Sequence, residues 1–278
     1  MKKTSAWIKI VRPLNLLITF ITVIVAVIIC SYTKIDLGIT LLAALSSIFS
    51  AASGNIINDY FDIAIDKINR PQRPLPSGDI SQSKALVVYF LFVFLSVIAA
   101  IFVSLDALII VVSANILLFM YSYILKKIPI IGNVTVALLT ALTFIYGGIV
   151  AKNINAAVIP ALFAFLINLV RELVKDIEDI DGDISSGIFT FPSRFGIPLT
   201  QKIISIITVA LIFFTSYPYF TQIYKIEFFI IVLLTVDLIL VHVLRTVFEK
   251  TTKSNLNKIS RMLKAGMVFG LIAIYFGR

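Results

Sequence analysis

The 278-residue sequence is 59% hydrophobic and only 14% charged, with a net charge of +9. Soluble domains contain about 45–50% apolar and about 25% charged residues, so this composition excludes an ordinary soluble fold. We interpret the positive charge as membrane topology, and we expect no nucleic-acid partner. The single cysteine, Cys30, excludes an internal disulfide.

Long apolar segments occupy most of the chain. A transmembrane helix needs about 20 mostly apolar residues, and on this basis we predict nine spans. They cover residues 14–31, 37–57, 84–104, 106–124, 132–150, 155–172, 201–220, 227–247 and 261–277. The prediction is therefore an all-α, polytopic membrane protein with one transmembrane domain, residues 1–278. The eighth span carries Asp237 and His242, for which we predict a polar contact inside the bundle.

The basic residues are distributed unevenly between the two predicted membrane faces. With the N-terminus in the cytoplasm, 20 of the 24 Lys and Arg residues lie on the cytoplasmic side. Loops rich in Lys and Arg remain in the cytoplasm when membrane proteins insert. We therefore predict a multi-pass protein of the cell (plasma) membrane with a cytoplasmic N-terminus.

Nine of the 15 acidic residues fall in two short windows, residues 58–66 and 172–183. The first window follows the second predicted span and the second follows the sixth. Four crossings separate the windows, so both should emerge on the same face. That face is the cytoplasmic one in the predicted orientation.

Each window repeats a spacing of four, three and four residues, which places its members on one helix face. They are Asn55, Asp59, Asp62 and Asp66 in the first window, and Glu172, Asp176, Asp179 and Asp183 in the second. Glu178 and Asp181 fall on the opposite side. Like charges one turn apart repel each other. Mg²⁺ would remove this repulsion, because it binds carboxylates together with substrate phosphates.

The sequence therefore predicts two or more Mg²⁺ ions with a diphosphate between the two windows. The predicted ligands are Asp59, Asp62, Asp66, Asp176, Asp179 and Asp183.

A basic, proline-rich segment directly follows the first window. Arg70 and Arg73 can offer forked donors to phosphate oxygens, and three nearby prolines deny this segment a helix. We predict that the segment binds substrate phosphate. The other candidate substrate-binding residues are Lys126, Lys127, Lys175, Arg12 and Asn15. For Arg12 and Asn15, an anchor at the membrane interface is the alternative.

Two motifs resemble those of the UbiA superfamily of intramembrane prenyltransferases. One is N-D-x-x-D-x-x-x-D at residues 58–66, followed by N-R-P-x-R-P-L-P-S-G at residues 69–78. The other is K-D-x-x-D-x-x-G-D at residues 175–183. The residues Tyr121, Ser122, Lys126, Gly132 and Asn133 also match family positions. The resemblance covers nearly the whole chain.

The resemblance implies a helical bundle around a central cavity and Mg²⁺-dependent transfer of a prenyl group. The partners would be a prenyl diphosphate donor, a lipid or isoprenoid acceptor, and membrane lipids. The chain is most similar to the archaeal branch that joins a geranylgeranyl group to geranylgeranylglyceryl phosphate. The implied catalytic residues are Asn58, Asp62, Asp66, Asp179, Asp183 and Tyr121.

Three alternatives remain open at this point. The first is prenylation of an aromatic quinone or chlorophyll-like acceptor by the same kind of enzyme. The second is a CDP-alcohol phosphotransferase, although its continuous aspartate motif is not matched by the sequence around Asp183. The third is a cation transporter, whose sites usually lie near the bilayer midplane and not at helix ends.

Overall fold

A computed structural model describes residues 2–32, 34–185, 187, 189–249 and 251–278, without the side chains of residues 2–4 and 69. Lys250, one of the cations used to predict orientation, lies outside the described residues, and so does the side chain of Asn69 from the first motif. The described chain is helical. Its helices are α1 (Lys2–Val11), α2 (Pro13–Cys30), α3 (Leu37–Phe61), α4 (Ile63–Asn69), α5 (Gln82–Ile101), α6 (Leu105–Tyr123), α7 (Ile131–Val150), α8 (Ile154–Glu178), α9 (Ile180–Ser185), α10 (Phe191–Phe195), α11 (Ile197–Phe220), α12 (Ile226–Val232), α13 (Leu238–Glu249) and α14 (Lys253–Gly277). A 3₁₀ turn, Leu125–Lys127, precedes α7, and a π-helical segment, Leu233–Asp237, joins α12 to α13.

Nine segments of the described chain are long and apolar enough to cross a membrane, which confirms the predicted all-α, multi-pass architecture. The segment Ile226–Glu249, which contains α12 and α13, counts as one of them. Two predicted ends are wrong by four or more residues, because α3 continues to Phe61 and α8 to Glu178, and the last span begins at Lys253, eight residues earlier than predicted. The last turns of α3 and α8 carry the acidic windows, so hydropathy falls before these helices end. Backbone hydrogen bonding nevertheless continues through the charged turns.

The chain before the first span forms an amphipathic helix. Ala6 and Ile10 of α1 are buried, whereas Ile8 is exposed. The chain then turns at Arg12, whose φ of 56° lies in the left-handed region, and Pro13 begins α2. Proline suits the first helical position because its fixed φ fits the helix. It lacks a backbone N–H, but an N–H at this position would have no partner within the helix. This turn positions the Arg12 side chain.

The helices divide into two compact units, and helices α7 and α8 contribute to both. The first unit comprises Met1–Leu125 and Leu142–Ala157. Inside it, Asn115 of α6 donates to Ser96 Oγ of α5 at 2.9 Å and accepts from Ser53 Oγ of α3 at 3.2 Å. A polar side chain inside a membrane is costly unless it finds such partners. These bonds therefore tie three spans together.

Helix α7 approaches α2 closely at Gly147. A Cβ atom built on Gly147 would lie 2.4 Å from Cβ of Ala26 and 2.9 Å from its carbonyl carbon. We expect Gly147→Ala to destabilise the protein by about 1–3 kcal/mol. The added methyl group would clash with the backbone of α2, which cannot move aside as a flexible side chain can. The measurement is thermal unfolding in detergent. Gly270→Ala is the matched control, since nothing lies within 4 Å of a Cβ there; equal unfolding temperatures for the two variants would contradict the close contact.

The second unit comprises Lys126–Ala141 and Val158–Arg278. Gln201 Nε2 of α11 donates to the carbonyl oxygen of Val247 in α13 at 2.6 Å. Thr215 Oγ1 donates to Asp237 Oδ1 at 3.0 Å, and Asp237 is buried at the end of the π-helical segment. The polar contact predicted for Asp237 is thus confirmed. His242 is partly buried, and its contact stays a prediction, as does the single domain.

Candidate active site

The two acidic windows have the same local architecture. Each lies at the end of a 25-residue helix, α3 or α8, which is followed by a single residue outside helical assignment and then a short helix. That residue is Asp62 between α3 and α4, and Asp179 between α8 and α9. The sequence predicted one uninterrupted stripe in each window. The structure instead places one predicted metal ligand of each window at a helix junction.

Backbone hydrogen bonds continue across both junctions and preserve the residue spacing. Asp62 N–H donates to the carbonyl oxygen of Asn58 at 3.0 Å, and Asp66 N–H donates to that of Asp62 at 2.7 Å. Asp62 itself has φ −92° and ψ 3°, a sparsely populated region in which active-site residues are often found. In the second window, Asp183 N–H donates to the carbonyl oxygen of Asp179 at 3.0 Å. The predicted one-turn spacing of the carboxylates therefore survives.

Two arginines neutralise the carboxylates of the first window. Arg73 Nη1 lies 2.6 Å from Asp66 Oδ2 and 3.3 Å from Asp59 Oδ1, so one guanidinium bridges both groups. Arg12 Nη2 also donates to Asp59 Oδ1. Asp59 is 3% exposed and Asp66 5%, so the carboxylates are buried while their arginine partners stay partly exposed. A buried carboxylate requires such a partner, because leaving it alone costs several kcal/mol.

Burial raises the pKa of Asp66, and the nearby charges of Asp62 and Asp59 act in the same direction. Arg73 opposes this shift through its hydrogen bond and its charge. Lost hydration is the larger cause and the neighbouring carboxylates add to it, so the ionised form of Asp66 is disfavoured at this position. Additional positive charge at this window would stabilise it.

The two arginines are positioned by a common apolar cluster. It joins α1, α3, α5 and the segment between α4 and α5, which is non-helical as its prolines predicted. In addition, Asn55 Nδ2 donates to the carbonyl oxygen of Val11 at 2.9 Å, which fixes the residue before Arg12. The buried members of the cluster are Ala6, Ile10, Ile56, Ile57, Leu75, Ile80, Ala85 and Tyr89.

Asp62 has an amide partner and lies beside aromatic rings. Asn58 Nδ2 donates to Asp62 Oδ2 at 2.9 Å, which leaves the Asn58 carbonyl oxygen directed away from that bond. The ring of Phe61, the preceding residue, packs edge-on against Phe119 and at a tilt against Tyr123, both of α6, at centroid distances of 5.7 and 5.4 Å. Carboxylate, amide and aromatic groups therefore converge at this junction.

In the second window, contacts come from α7 and from α8 itself. Asn133 Nδ2 donates to Asp176 Oδ2 at 2.8 Å. Glu172 is buried and forms ion pairs with Arg171 Nη1 at 2.7 Å and Lys175 Nζ at 2.9 Å. Glu172 is thus neutralised within its own helix, although the spacing placed it on the same stripe. Lys175, predicted to bind substrate, has this carboxylate as its partner.

We expect Asn133→Leu to lower kcat for prenyl transfer about ten- to a hundredfold, because groups that orient metal ligands typically matter to this extent. Leucine has the same number and branching of side-chain heavy atoms as asparagine, although its volume is larger, and it removes the donor to Asp176. Asn168→Leu is the matched control: Asn168 also joins α8 to α7, through Thr140 Oγ1 at 2.6 Å, but it contacts no acidic window. If both variants lose activity equally, Asn133 acts only through helix packing.

The remaining predicted site residues occupy both units. Asn15 is exposed in the first turn of α2, Arg70 is exposed directly after α4, and Tyr121 is partly buried in α6. Lys126 is partly buried and Lys127 exposed in the 3₁₀ turn. Their substrate contacts stay predictions.

Sequence reasoning missed the connection between Arg12 and Asp59 and that between Asn133 and Asp176. The paired residues are 47 and 43 positions apart, so helical spacing gives no signal for either. Only the tertiary fold brings them together.

The donor atoms of both windows suit magnesium. They are carboxylate and amide oxygens, which are hard ligands of the kind that Mg²⁺ prefers. Within the described residues, no three acidic, histidine or cysteine side chains converge closely enough to hold a metal on their own. Mg²⁺ sites of this type use one or two carboxylates and take further oxygens from water and substrate phosphates. The windows fit a metal that binds together with a diphosphate.

Comparison with known proteins identifies the family of the chain. The family model of the UbiA prenyltransferase family matches residues 19–265, which include both windows. The chain belongs to this family. As a UbiA prenyltransferase it is a multi-pass membrane enzyme, and the family resemblance of its motifs is confirmed.

Individual relatives extend the match over nearly the full length. A protein from Methanosphaera stadtmanae named digeranylgeranylglyceryl phosphate synthase is 35% identical over 273 residues, 98% of this chain and 99% of that protein. A solved structure described as digeranylgeranylglyceryl phosphate synthase in membranes has a TM-score of 0.83 and 32% identity, and covers 100% of this chain and 99% of its own. A UbiA homolog from Archaeoglobus fulgidus bound to DMAPP and Mg²⁺ has a TM-score of 0.73 and 20% identity, over 97% of this chain and 99% of that one. This last similarity concerns the fold alone.

Proposed function

We propose that this UbiA prenyltransferase transfers a geranylgeranyl group from geranylgeranyl diphosphate to the hydroxyl of geranylgeranylglyceryl phosphate. The observation that carries the proposal is the match to relatives named digeranylgeranylglyceryl phosphate synthase, which spans almost the whole of both chains. The acidic windows and the arginine-rich segment lie inside the matched region. The reaction forms the second ether bond of an archaeal membrane lipid.

The carboxylates of both windows would hold two or more Mg²⁺ ions together with the donor diphosphate. The ligands that we propose are Asp59, Asp62, Asp66, Asp176, Asp179 and Asp183, with Asn58 and Asn133 orienting Asp62 and Asp176. Mg²⁺ bound there would neutralise the diphosphate and help it to leave. In the present arrangement Arg12 and Arg73 supply the positive charge beside Asp59 and Asp66.

The basic residues have a second role in this proposal. Arg73 is forked and already lies among the carboxylates, so it can contact diphosphate oxygens when the donor binds. Arg70 and Lys126 would add donors to the leaving group. The aromatic rings of Phe61, Phe119 and Tyr123 present faces that attract a cation, and they would stabilise the allylic cation formed on ionisation.

The proposed site faces the cytoplasm. Four spans, α5 to α8, lie between the first window and the second, and the basic residues favour a cytoplasmic N-terminus. We therefore place both windows and the N-terminus on the cytoplasmic side of the cell membrane.

The proposal is tested with purified protein in lipid nanodiscs, radiolabelled geranylgeranyl diphosphate and a panel of acceptors. We expect transfer to geranylgeranylglyceryl phosphate, with release of diphosphate and a proton and a product whose mass is that of the acceptor plus one geranylgeranyl group minus one hydrogen. An aromatic quinone precursor serves as the competing acceptor. Preferential transfer to the quinone precursor would contradict the proposed acceptor while leaving the family assignment intact.

Removal of magnesium provides a separate test. We expect excess EDTA to abolish transfer and added Mg²⁺ to restore it, because the diphosphate is a poor leaving group when its charge is not neutralised. Calcium at the same concentration is the control for general charge screening. Activity that persists in EDTA would rule out the proposed metal requirement.

A further inference from the structure

The second unit contains a basic cleft of about 420 Å³ at the start of α14. Its lining consists of Glu178 from the end of α8 and Lys253, Ser254, Asn257, Lys258 and Arg261 from the first turns of α14. The catalytic proposal uses none of these residues. Glu178 immediately precedes Asp179 but lies on another face of the helix, so the cleft and the proposed ligands share the end of α8 and not one face.

The chemistry of the cleft favours an anion. Three cationic side chains line it against one carboxylate, and Glu178 Oε1 already accepts a hydrogen bond from Asn257 Nδ2 at 2.9 Å. Thr252 caps α14, so the first backbone N–H groups of this 25-residue helix lie at the same end as the cleft. Such N–H groups add partial positive charge where the three cations already converge.

Further cationic side chains follow the contact between α8 and α14, starting from the cleft. Asn257 meets Glu178 at the cleft, and nine residues further along α14 a Cβ atom built on Gly266 would lie 3.3 Å from Cδ1 of Ile167, eleven residues back in α8. Lys264 and Arg171 lie between these two contacts along their helices. The two helices are therefore antiparallel neighbours over two turns. Arg171 Nε is buried there without a hydrogen-bond partner.

We propose that this cleft binds the phosphate monoester of the acceptor lipid, an inference that rests on the function proposed above. An acceptor built on glycerol with one phosphate and one prenyl ether has only two or three carbon atoms between its free hydroxyl and the oxygen that bears the phosphate. A phosphate held in the cleft would therefore keep the attacking hydroxyl at the end of α8 that also carries the second acidic window. The cleft thus selects the acceptor and orients it.

The composition of the cleft distinguishes this ligand from two other phosphates. The donor diphosphate needs metal, and the sole carboxylate of the cleft is held by Asn257. A phosphodiester headgroup of a bulk lipid carries one negative charge, whereas a phosphate monoester carries about −1.5 to −2 at neutral pH. Three cations match the monoester better.

The test compares wild-type protein with the double variant Lys258→Gln/Arg261→Gln in nanodiscs of phosphatidylcholine. Both side chains are exposed, so we expect the unfolding temperature to stay unchanged. Arg245→Gln, an exposed cation of α13 outside the cleft, is the matched control. The probes are radiolabelled geranylgeranylglyceryl phosphate and geranylgeranylglycerol, the same lipid without its phosphate, each bound in the absence of donor.

We expect wild-type protein and the control to bind the phosphorylated lipid more tightly, and the double variant to lose this preference, by about ten- to a hundredfold in Kd. In turnover, the KM for the acceptor should rise by the same factor while the KM for the donor is unchanged. A preserved preference, an equal loss for both lipids, or a raised donor KM would overturn the inference. So would a preference that disappears in nanodiscs containing phosphatidylglycerol, because the cleft would then bind bulk lipid.

The binding data test the proposed phosphate site separately from the proposed reaction. If wild-type protein shows the cleft-dependent preference but transfers no prenyl group to this lipid, the proposed function fails and the binding site stands. If transfer occurs but the preference does not depend on Lys258 and Arg261, the site fails and the function stands.

Discussion

Alanine in place of Asp62 or Asp179 is expected to lower kcat/KM for prenyl transfer by about a hundred- to a thousandfold. Both residues lie at the junction between a spanning helix and a short helix, with carboxylates one turn away on either side. Removing either one deprives the diphosphate of part of its metal-mediated charge neutralisation. The measurement is transfer from radiolabelled geranylgeranyl diphosphate by purified protein at saturating Mg²⁺.

Asp181→Ala is the matched control for these variants. Asp181 is exposed on α9 and lies between two proposed ligands in sequence, but on the other side of the helix. We expect it to retain activity within about twofold, since exposed substitutions away from a site have small effects. Near-normal transfer by both Asp62→Ala and Asp179→Ala would contradict the assigned role of the windows.

Methionine in place of Arg73 is expected to reduce both stability and activity. Arg73 bridges Asp59 and Asp66, and breaking a buried ion pair by removing one partner costs about 3–5 kcal/mol. Asp59 retains Arg12, so the loss should lie at the lower end of this range. The unfolding temperature in detergent reports the first effect, and prenyl transfer reports the loss of a phosphate donor.

A second substitution separates the two effects of Arg73. In Arg73→Met/Asp66→Asn the buried charge left behind is removed, so much of the stability should return while transfer remains low. Lys67→Met is the control, because Lys67 is exposed on α4 next to Asp66 in sequence. If Arg73→Met unfolds at the wild-type temperature, the bridging pair contributes nothing to the fold.

Features that depend on local sequence could be predicted well. Span positions follow from hydropathy, and the spacing of the acidic windows follows from helical periodicity, so both are visible along the chain. The non-helical segment after Asn69 was evident from its prolines. Helix ends were less accurate: α3 and α8 continue into their charged turns, where hydropathy has already fallen.

Features that depend on tertiary contact could not be predicted. Arg12 was equally consistent with an interface anchor, and its pairing with Asp59 depends on the left-handed turn between α1 and α2. Glu172 fitted the acidic stripe by spacing, yet Arg171 and Lys175 neutralise it. The basic cleft arises because the start of α14 packs against the end of α8. The spacing of residues along the sequence gives no sign of that contact.

The most direct test of the account is whether the two windows act on one donor molecule. Mg²⁺-dependent binding of geranylgeranyl thiolodiphosphate, an unreactive donor analogue, is measured for wild-type protein, Asp62→Ala, Asp179→Ala and the double variant. Because groups that act as a unit have strongly non-additive effects, we expect the double variant to bind no more weakly than either single variant. Losses of binding free energy that simply add would show that the windows bind independently, and would contradict a shared metal–diphosphate site.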